Sequence, residues 1–282
     1  MNFIFFFILI IIIILLIYFH NRKSIIVKNY NSYSLGNDGF QFMPGLLSPS
    51  LVNNIKKCER NGDYKVMKDQ ITHSDCLKTK LMGRTGDGYI FQNYMLVIKK
   101  SSIHTCHRDS NGTLFNPTLN HPTYTLLIFL ETMERSLGLI PKSHMELNSY
   151  YVNIMNNTIA FSCKPGDALL FNSNLYHVGE INAKPNNLRL QFKLCHFSDE
   201  KKIDYYNNYF KILNQDNHYP QWLQQIQKNI SCFIPGISNL SQYQIQTDSD
   251  QDKQSTISKI FSQILYGNSE FYKLESIDLP HL

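Results

Sequence analysis

Residues 165–192 read PGDALLFNSNLYHVGEINAKPNNLRLQF. Pro165-Gly166-Asp167 is turn chemistry: proline presets one backbone angle and glycine takes the conformations that other residues resist. Taken with what precedes it, TIAFSCKPGDALLFNSNLYHVGEI (158–181) reads as strand, turn, strand. NLRLQFKLCHF (187–197) then alternates cleanly, the signature of another strand. His177 falls on the strand after the turn, and Arg189 on the next one, twelve positions later.

The same grammar extends upstream. TYTLLIFLE (123–131) is a second strong strand, and GLIPKSH (138–144) follows after a turn. GDGYIFQNYMLVIKK (86–100) alternates and is rich in Tyr, Ile, Phe and Val. FQFMPGLL is strand-like and then turns. Ser48 and Pro49 then form a helix start for SLVNNIKKCER (50–60), whose apolar residues have helical spacing. Many short strands with Gly/Pro turns in one domain predict a mainly β sandwich or jelly roll with flanking helices. After Asp199 the pattern changes. KKIDYYNNYFKILNQ (201–215), PQWLQQIQKNI (220–230) and TISKIFSQILYG (256–267) read as amphipathic helices. QTDSDQDKQST (246–256) reads as a solvated loop.

The 86–100 strand leads into HTCHRDSNGT (104–113). His107-Arg108-Asp109 is spelled like a kinase catalytic loop, but the neighbours exclude that reading. A kinase needs Asn five residues after the Asp, where this chain has Leu114. The Gly-rich loop, the strand lysine and the Asp-Phe-Gly are missing too. What His-x-Asp offers instead is an imidazole and a carboxylate on the same side of an extended segment. With His177, 68 positions after Asp109, they make two His and one carboxylate, the facial set that holds non-haem Fe(II) with coordination positions open. Arg189 is the natural partner for a co-substrate carboxylate.

These segments, in this order, resemble the phytanoyl-CoA hydroxylase family of Fe(II)/2-oxoglutarate dioxygenases. DGFQFMPGLLSPSLVNNIKK (38–57) resembles its opening strand and helix. HRD matches its first two ligands. GLIPKSH resembles its Gly-x-x-x-Pro-Gly-Ser-His turn, with Lys142 where Gly is usual. The quoted distal stretch carries its last ligand, His177, and its 2-oxoglutarate arginine, Arg189. The resemblance covers about residues 38–197. It implies a double-stranded β-helix and Fe(II) on His107, Asp109 and His177. It also implies 2-oxoglutarate and dioxygen as co-substrates, with ascorbate as an accessory reductant. Family members often have Ser or Thr two residues after the distal His. Gly179 stands there, which leaves Tyr94 and Thr125 as the further candidates for the co-substrate. Halogenating relatives lack the carboxylate ligand, so Asp109 favours hydroxylation. A prolyl-4-hydroxylase-like protein is the alternative enzyme, but that family usually has Lys at the co-substrate position. An inactive, membrane-tethered relative is the alternative outside catalysis.

The chain of 282 residues begins MNFIFFFILIIIIILLIYF, unbroken apolar or aromatic from Phe3 to Phe19. Arg22, Lys23 and Lys28 follow. The run predicts a single-pass membrane helix, and the basic flank predicts that the catalytic domain lies on the cytosolic side. No basic n-region precedes it and no small-residue cleavage site follows, so a cleaved signal fits poorly. The membrane and a lipid or other small-molecule substrate are the expected partners. The net charge of +5 is modest and no Lys/Arg cluster with interleaved aromatics occurs, which argues against nucleic acid. Six scattered cysteines, with no Cys-x-x-Cys pair, argue against a zinc ribbon. Sequons begin at Asn111, Asn156, Asn229 and Asn239, a number that so Asn-rich a chain produces by chance. The expected organisation is an anchor (1–20), a juxtamembrane linker (21–37), a dioxygenase domain (38–198) and a helical extension (199–282). His104, His144 and His196 are read as structural or pocket-lining. Cys106, facing away from the pair, is read as packing.

Overall fold

The computed structural model describes residues 2–100, 103–109, 119–146, 157–182, 187–203, 208–235 and 255–279. Among them, twelve strands form two sheets. In chain order these are β1 (Ile25–Ile26), β2 (Phe40–Met43), β3 (Tyr89–Phe91), β4 (Tyr94–Ile98), β5 (Tyr124–Phe129) and β6 (Leu137–Leu139). Then come β7 (Ile159–Ala160), β8 (Ala168–Asn172), β9 (His177–Gly179), β10 (Arg189–His196), β11 (Tyr209–Leu213) and β12 (Glu275–Ser276). The larger sheet runs β12-β11-β4-β10-β5-β8-β2, with β3 paired to the far half of β10. The smaller runs β1-β7-β6-β9.

The two sheets pack face to face in a jelly-roll-like arrangement. Alternation along each strand divides the apolar residues between two sides. Leu96, Ile98, Leu127, Phe129, Leu169 and Phe171 point inward and meet Leu137, Leu139, Ile159 and Phe161 from the smaller sheet. Phe42 stacks on Phe161 at 4.9 Å. The other face of the larger sheet carries Val97, Leu126, Ile128, Leu170, Leu190, Phe192 and Leu194. Helices cover it: α3 (Pro49–Asn61), α4 (Tyr64–Thr72) and α5 (Asp75–Thr85). The Ser48 hydroxyl accepts from Leu51 N at 3.3 Å and caps α3 as expected. Ile55, Met67, Ile71 and Leu81 are at most 1% exposed beneath these helices. Each such side chain contributes about 1.5–3 kcal/mol by leaving water.

The expected membrane helix is corrected. Helix α1 (Asn2–Asn21) forms, ahead of the short α2 (Leu35–Asp38), and its side chains from Phe5 to Tyr18 are exposed. Yet among the described residues no helix is long and apolar enough to cross a membrane. Even the full run Phe3–Phe19 covers only about 25 Å at helical rise, against about 30 Å of hydrocarbon. Its last turn is also engaged by the domain. Asn229, on α6 (Gln221–Phe233), donates to the carbonyls of Phe19 and Arg22, and the Phe19 and Phe233 rings lie 5.9 Å apart. The single-pass location and the cytosolic orientation fall with the anchor.

The flanking assignments also change. The expected linker supplies β1, which pairs in parallel with β7. The extension is only partly helical. α6 and α7 (Thr256–Tyr266) form where expected. By contrast, Tyr209–Leu213, expected in a helix, is strand β11, parallel to β4 along its whole length. β4 offers an open edge there, and ladder pairing with burial of Ile212 and Leu213 outweighs local helical spacing. Asn229 is 4% exposed, so this sequon is closed to glycans in the fold. Asn111, Asn156 and Asn239, and most of the 246–256 loop, lie outside the described residues.

Candidate metal centre

Topology brings the three predicted ligands together. His177 opens β9 and faces inward, paired across to Leu139. His107 forms an isolated antiparallel bridge with it, through His107 N to His177 O and His177 N to His107 O, both 2.9 Å. Asp109 follows two residues on. His107, Asp109 and His177 are 5%, 4% and 4% exposed. Their ligating atoms all lie within 4.8 Å of one another. Asp109 Oδ1 sits 3.7 Å from His107 Nε2 and 3.4 Å from His177 Nε2.

The imidazoles are oriented from behind. His107 Nδ1 lies 2.8 Å from the Thr105 carbonyl, and His177 Nδ1 lies 3.0 Å from that of Leu175. A carbonyl can only accept, so each Nδ1 carries the proton and each Nε2 turns its lone pair inward. Burial, then the neighbouring His177, pushes the His107 pKa down to about 3, so this ring is neutral at pH 7. Burial alone would raise the Asp109 pKa. Lys193 and the two imidazoles overcome it and hold the carboxyl well below its usual range. Two imidazoles that present Nε2 and an ionised carboxylate, buried and preorganised, fit a divalent metal of the Fe(II) type.

One neighbour was not read from the sequence. Lys193 is 2% exposed, and its Nζ lies 2.7 Å from Asp109 Oδ2 and 2.9 Å from Thr125 Oγ1. Thr125 in turn donates to Asp109 Oδ2 at 2.6 Å. Thr125, a co-substrate candidate in the sequence, is thus first a partner of the carboxylate. Tyr94 faces the same interior, stacked on Tyr209 at 4.9 Å, with its hydroxyl 3.4 Å from Gln191 Nε2. Arg189 is 3% exposed at the start of β10, on the inward face with Gln191 and Lys193, paired across to Ile98 and Phe129. Burial lowers its pKa to about 10, opposed by Cys163, and it remains a cation at pH 7.

Arg108 is held by packing and by backbone carbonyls. Its guanidinium lies 4.1 Å from the Tyr176 ring and donates to the carbonyls of Ser143 and Glu146. It ties the ligand loop to the 138–144 turn. Ser143 Oγ then accepts from Tyr176 N at 2.9 Å, one residue before His177. Lys142 adopts φ 66°, the left-handed geometry that suits the glycine usual there, at a cost of about 1 kcal/mol.

His144, His196 and His104 stand outside the ligand set. His144 lies against Gly39. His196 stacks on His121 at 3.7 Å. His104 is bonded to Gln227 at 3.0 Å and Asn217 at 2.8 Å. Cys106 packs with Cys232 in an apolar cluster behind the site. The C-terminal part of the chain reaches this region elsewhere too: Thr105 Oγ1 meets Tyr266 OH at 2.8 Å, and Cys106 N donates to Ser231 Oγ at 2.9 Å. Burial lowers the His104 pKa to about 4. Above pH 6.5 folded and unfolded chains are both neutral there. Between 6.5 and 4 only the unfolded chain takes up the proton, so stability falls across that window by about 3 kcal/mol from this group. Melting temperature against pH checks it, and His104→Gln is expected to flatten the profile between pH 6.5 and 4.

Gly179 has a steric reason. A Cβ there would lie 2.5 Å from the Ile103 carbonyl oxygen, a backbone atom, which accepts from Gly179 N at 2.6 Å. The Ser or Thr of the resembling family does not fit this crossing. Gly179→Ser is expected to cost on the order of 2 kcal/mol by overpacking. Thermal unfolding of the metal-free protein measures it.

No family model matches the chain, and no curated protein matches its sequence. Solved structures do resemble the fold. SnoN, a non-haem alpha-ketoglutarate-dependent epimerase from nogalamycin biosynthesis, is 14% identical, with a TM-score of 0.46 over 57% of this chain and 79% of its own. Iron-bound HygX from Streptomyces hygroscopicus is 12% identical, with a TM-score of 0.46 over 61% and 87%. AviO1 from Streptomyces viridochromogenes Tue57 is 12% identical, with a TM-score of 0.44 over 60% and 96%. Likeness at this level assigns no chemistry, and the phytanoyl-CoA hydroxylase family itself is not shown. The functional reading rests on the site.

Proposed function

We propose that the protein is a non-haem Fe(II)- and 2-oxoglutarate-dependent dioxygenase that hydroxylates a C–H bond of a small-molecule substrate. One observation carries the reading. Three buried ligating atoms converge within 4.8 Å, and both imidazoles are held in the tautomer that presents Nε2. The lipid substrate expected from the sequence depended on the anchor and is not retained.

When bound, Fe(II) with 2-oxoglutarate and dioxygen supplies the oxidising power that breaks an unactivated C–H bond, with release of succinate and carbon dioxide. The chain's residues do the placing. His107, His177 and Asp109 Oδ1 would hold the metal, a donor set that suits Fe(II). Arg189 takes the far carboxylate of 2-oxoglutarate. It lies four residues along β10 from Lys193 and on the same face. Its planar fork suits paired hydrogen bonds to a carboxylate. Phe171, whose ring lies 4.8 Å from that of His177, helps keep the interior apolar. Exclusion of water strengthens each of these electrostatic contacts.

The test is succinate release from the purified protein with Fe(II), ascorbate and 2-oxoglutarate. Slow succinate formation without added substrate is expected, abolished by an iron chelator. An iron-loaded protein that forms no succinate with any small-molecule acceptor supplied would count against the dioxygenase reading.

A further inference from the structure

We infer that Lys193 and Thr125 are positioning residues that hold Asp109 as a one-oxygen metal ligand, and so keep open the coordination position the co-substrate needs. The inference rests on the reading of His107, Asp109 and His177 as a metal site.

A carboxylate has two oxygens, and either one or both can bind a metal. With two imidazoles already bound, a one-oxygen Asp leaves three of six positions free. A two-oxygen Asp leaves two. A chelating 2-oxo acid fills two, and dioxygen needs the third. The two oxygens of Asp109 have separate duties in this structure. Oδ1 faces the imidazoles, at 3.7 and 3.4 Å from their Nε2 atoms. Oδ2 is engaged by Lys193 Nζ at 2.7 Å and Thr125 Oγ1 at 2.6 Å.

The clamp is built to persist. Lys193 Nζ also donates to Thr125 Oγ1 at 2.9 Å, so cation, hydroxyl and carboxylate close a triangle. Thr125 is 0% exposed and Lys193 2%. Rotating the carboxylate to present Oδ2 to a metal would strip a buried ammonium of its counter-ion, which the dry interior resists. Both residues stand on central strands, β5 and β10, paired directly across the ladder as Lys193 and Thr125. Their geometry is set by the sheet rather than by a loop.

The measurements are Fe(II) affinity by chelator competition and 2-oxoglutarate affinity for the Fe(II) protein without oxygen. Thermal unfolding of the metal-free proteins is recorded alongside. Thr125→Val keeps the shape and removes the hydroxyl. Thr125→Ser restores it. Lys193→Met removes the charge at similar length. Thr125→Val and Lys193→Met are expected to weaken 2-oxoglutarate or Fe(II) binding by about 10- to 100-fold, as removal of a ligand's supporting partner does. Thr125→Ser is expected to stay within about threefold of the parent, since it keeps that partner. A merely structural threonine would lower thermal stability without this hydroxyl-specific loss and rescue. If Lys193→Met does not fold, the two Thr125 variants decide. Parent-like affinities in Thr125→Val overturn the inference while the metal site stands. A parent protein that binds no Fe(II) overturns the site reading itself, and the inference with it.

Discussion

His177→Ala leaves a protein that folds and no longer retains Fe(II). His107 and Asp109 come from one piece of chain and His177 from another, and two ligands do not hold Fe(II) as three do. Asp109→Ala is expected to lose iron as well, and more besides. It removes the carboxylate that faces the buried Lys193 ammonium, a change that typically costs about 3–5 kcal/mol of stability. The two variants therefore separate in a thermal melt without metal, with Asp109→Ala markedly lower. Asp109→Asn, which keeps the shape but not the charge, is expected to fall between them. Metal content after dialysis against Fe(II), measured beside the melts, checks both parts. Stoichiometric iron in His177→Ala would remove that residue from the site.

Arg189→Ala is expected to bind 2-oxoglutarate far more weakly while keeping its iron. Removing one partner of a buried, hydrogen-bonded charge pair costs about 2–5 kcal/mol, or roughly 30- to 5,000-fold in affinity. Arg189→Lys keeps the charge but loses the planar fork, so an intermediate loss is expected. The result is specific because Arg189 stands four residues along β10 from Lys193, which holds the metal-facing carboxylate. A general collapse of the site would take the metal with it. Parent-like 2-oxoglutarate affinity in Arg189→Ala would mean that another group holds the far carboxylate.

The residues that carry the site were legible where spacing alone constrained them. His107 and Asp109, two apart on extended chain, must share a side, and a strand after the Pro165 turn is a natural place for His177. The β-strand segments were legible because alternation is a short-range signal. Lys193 was not. In RLQFKL the polar residues alternate with Leu190, Phe192 and Leu194, and a polar strand face ordinarily meets water. Here both faces are buried, and the polar one points into the interior between the sheets. Only the pairing of β10 between β4 and β5 reveals that. Arg108 shows the reverse case, a charged residue inside a familiar tripeptide whose role depends on the Tyr176 ring and carbonyls 35 and 38 positions away. β11 was misread because Tyr209–Leu213 is short, and its state is decided by the open edge of β4 rather than by its own sequence. The N-terminal run was over-read because a span of about 25 Å at helical rise was taken as just enough for the hydrocarbon core, and because the contact its last turn makes with α6 cannot be seen in the sequence.

The measurement that bears most directly on the central claim is a titration of the purified protein with Fe(II) and then 2-oxoglutarate, without oxygen, followed by visible absorption. Chelation of Fe(II) by a 2-oxo acid gives a charge-transfer band that neither component gives alone. The account predicts a band that saturates at one Fe(II) per chain, is absent from His177→Ala, and needs far more 2-oxoglutarate to appear in Arg189→Ala. A protein that takes up no Fe(II), or that binds it without developing the band at any 2-oxoglutarate concentration, would contradict the account.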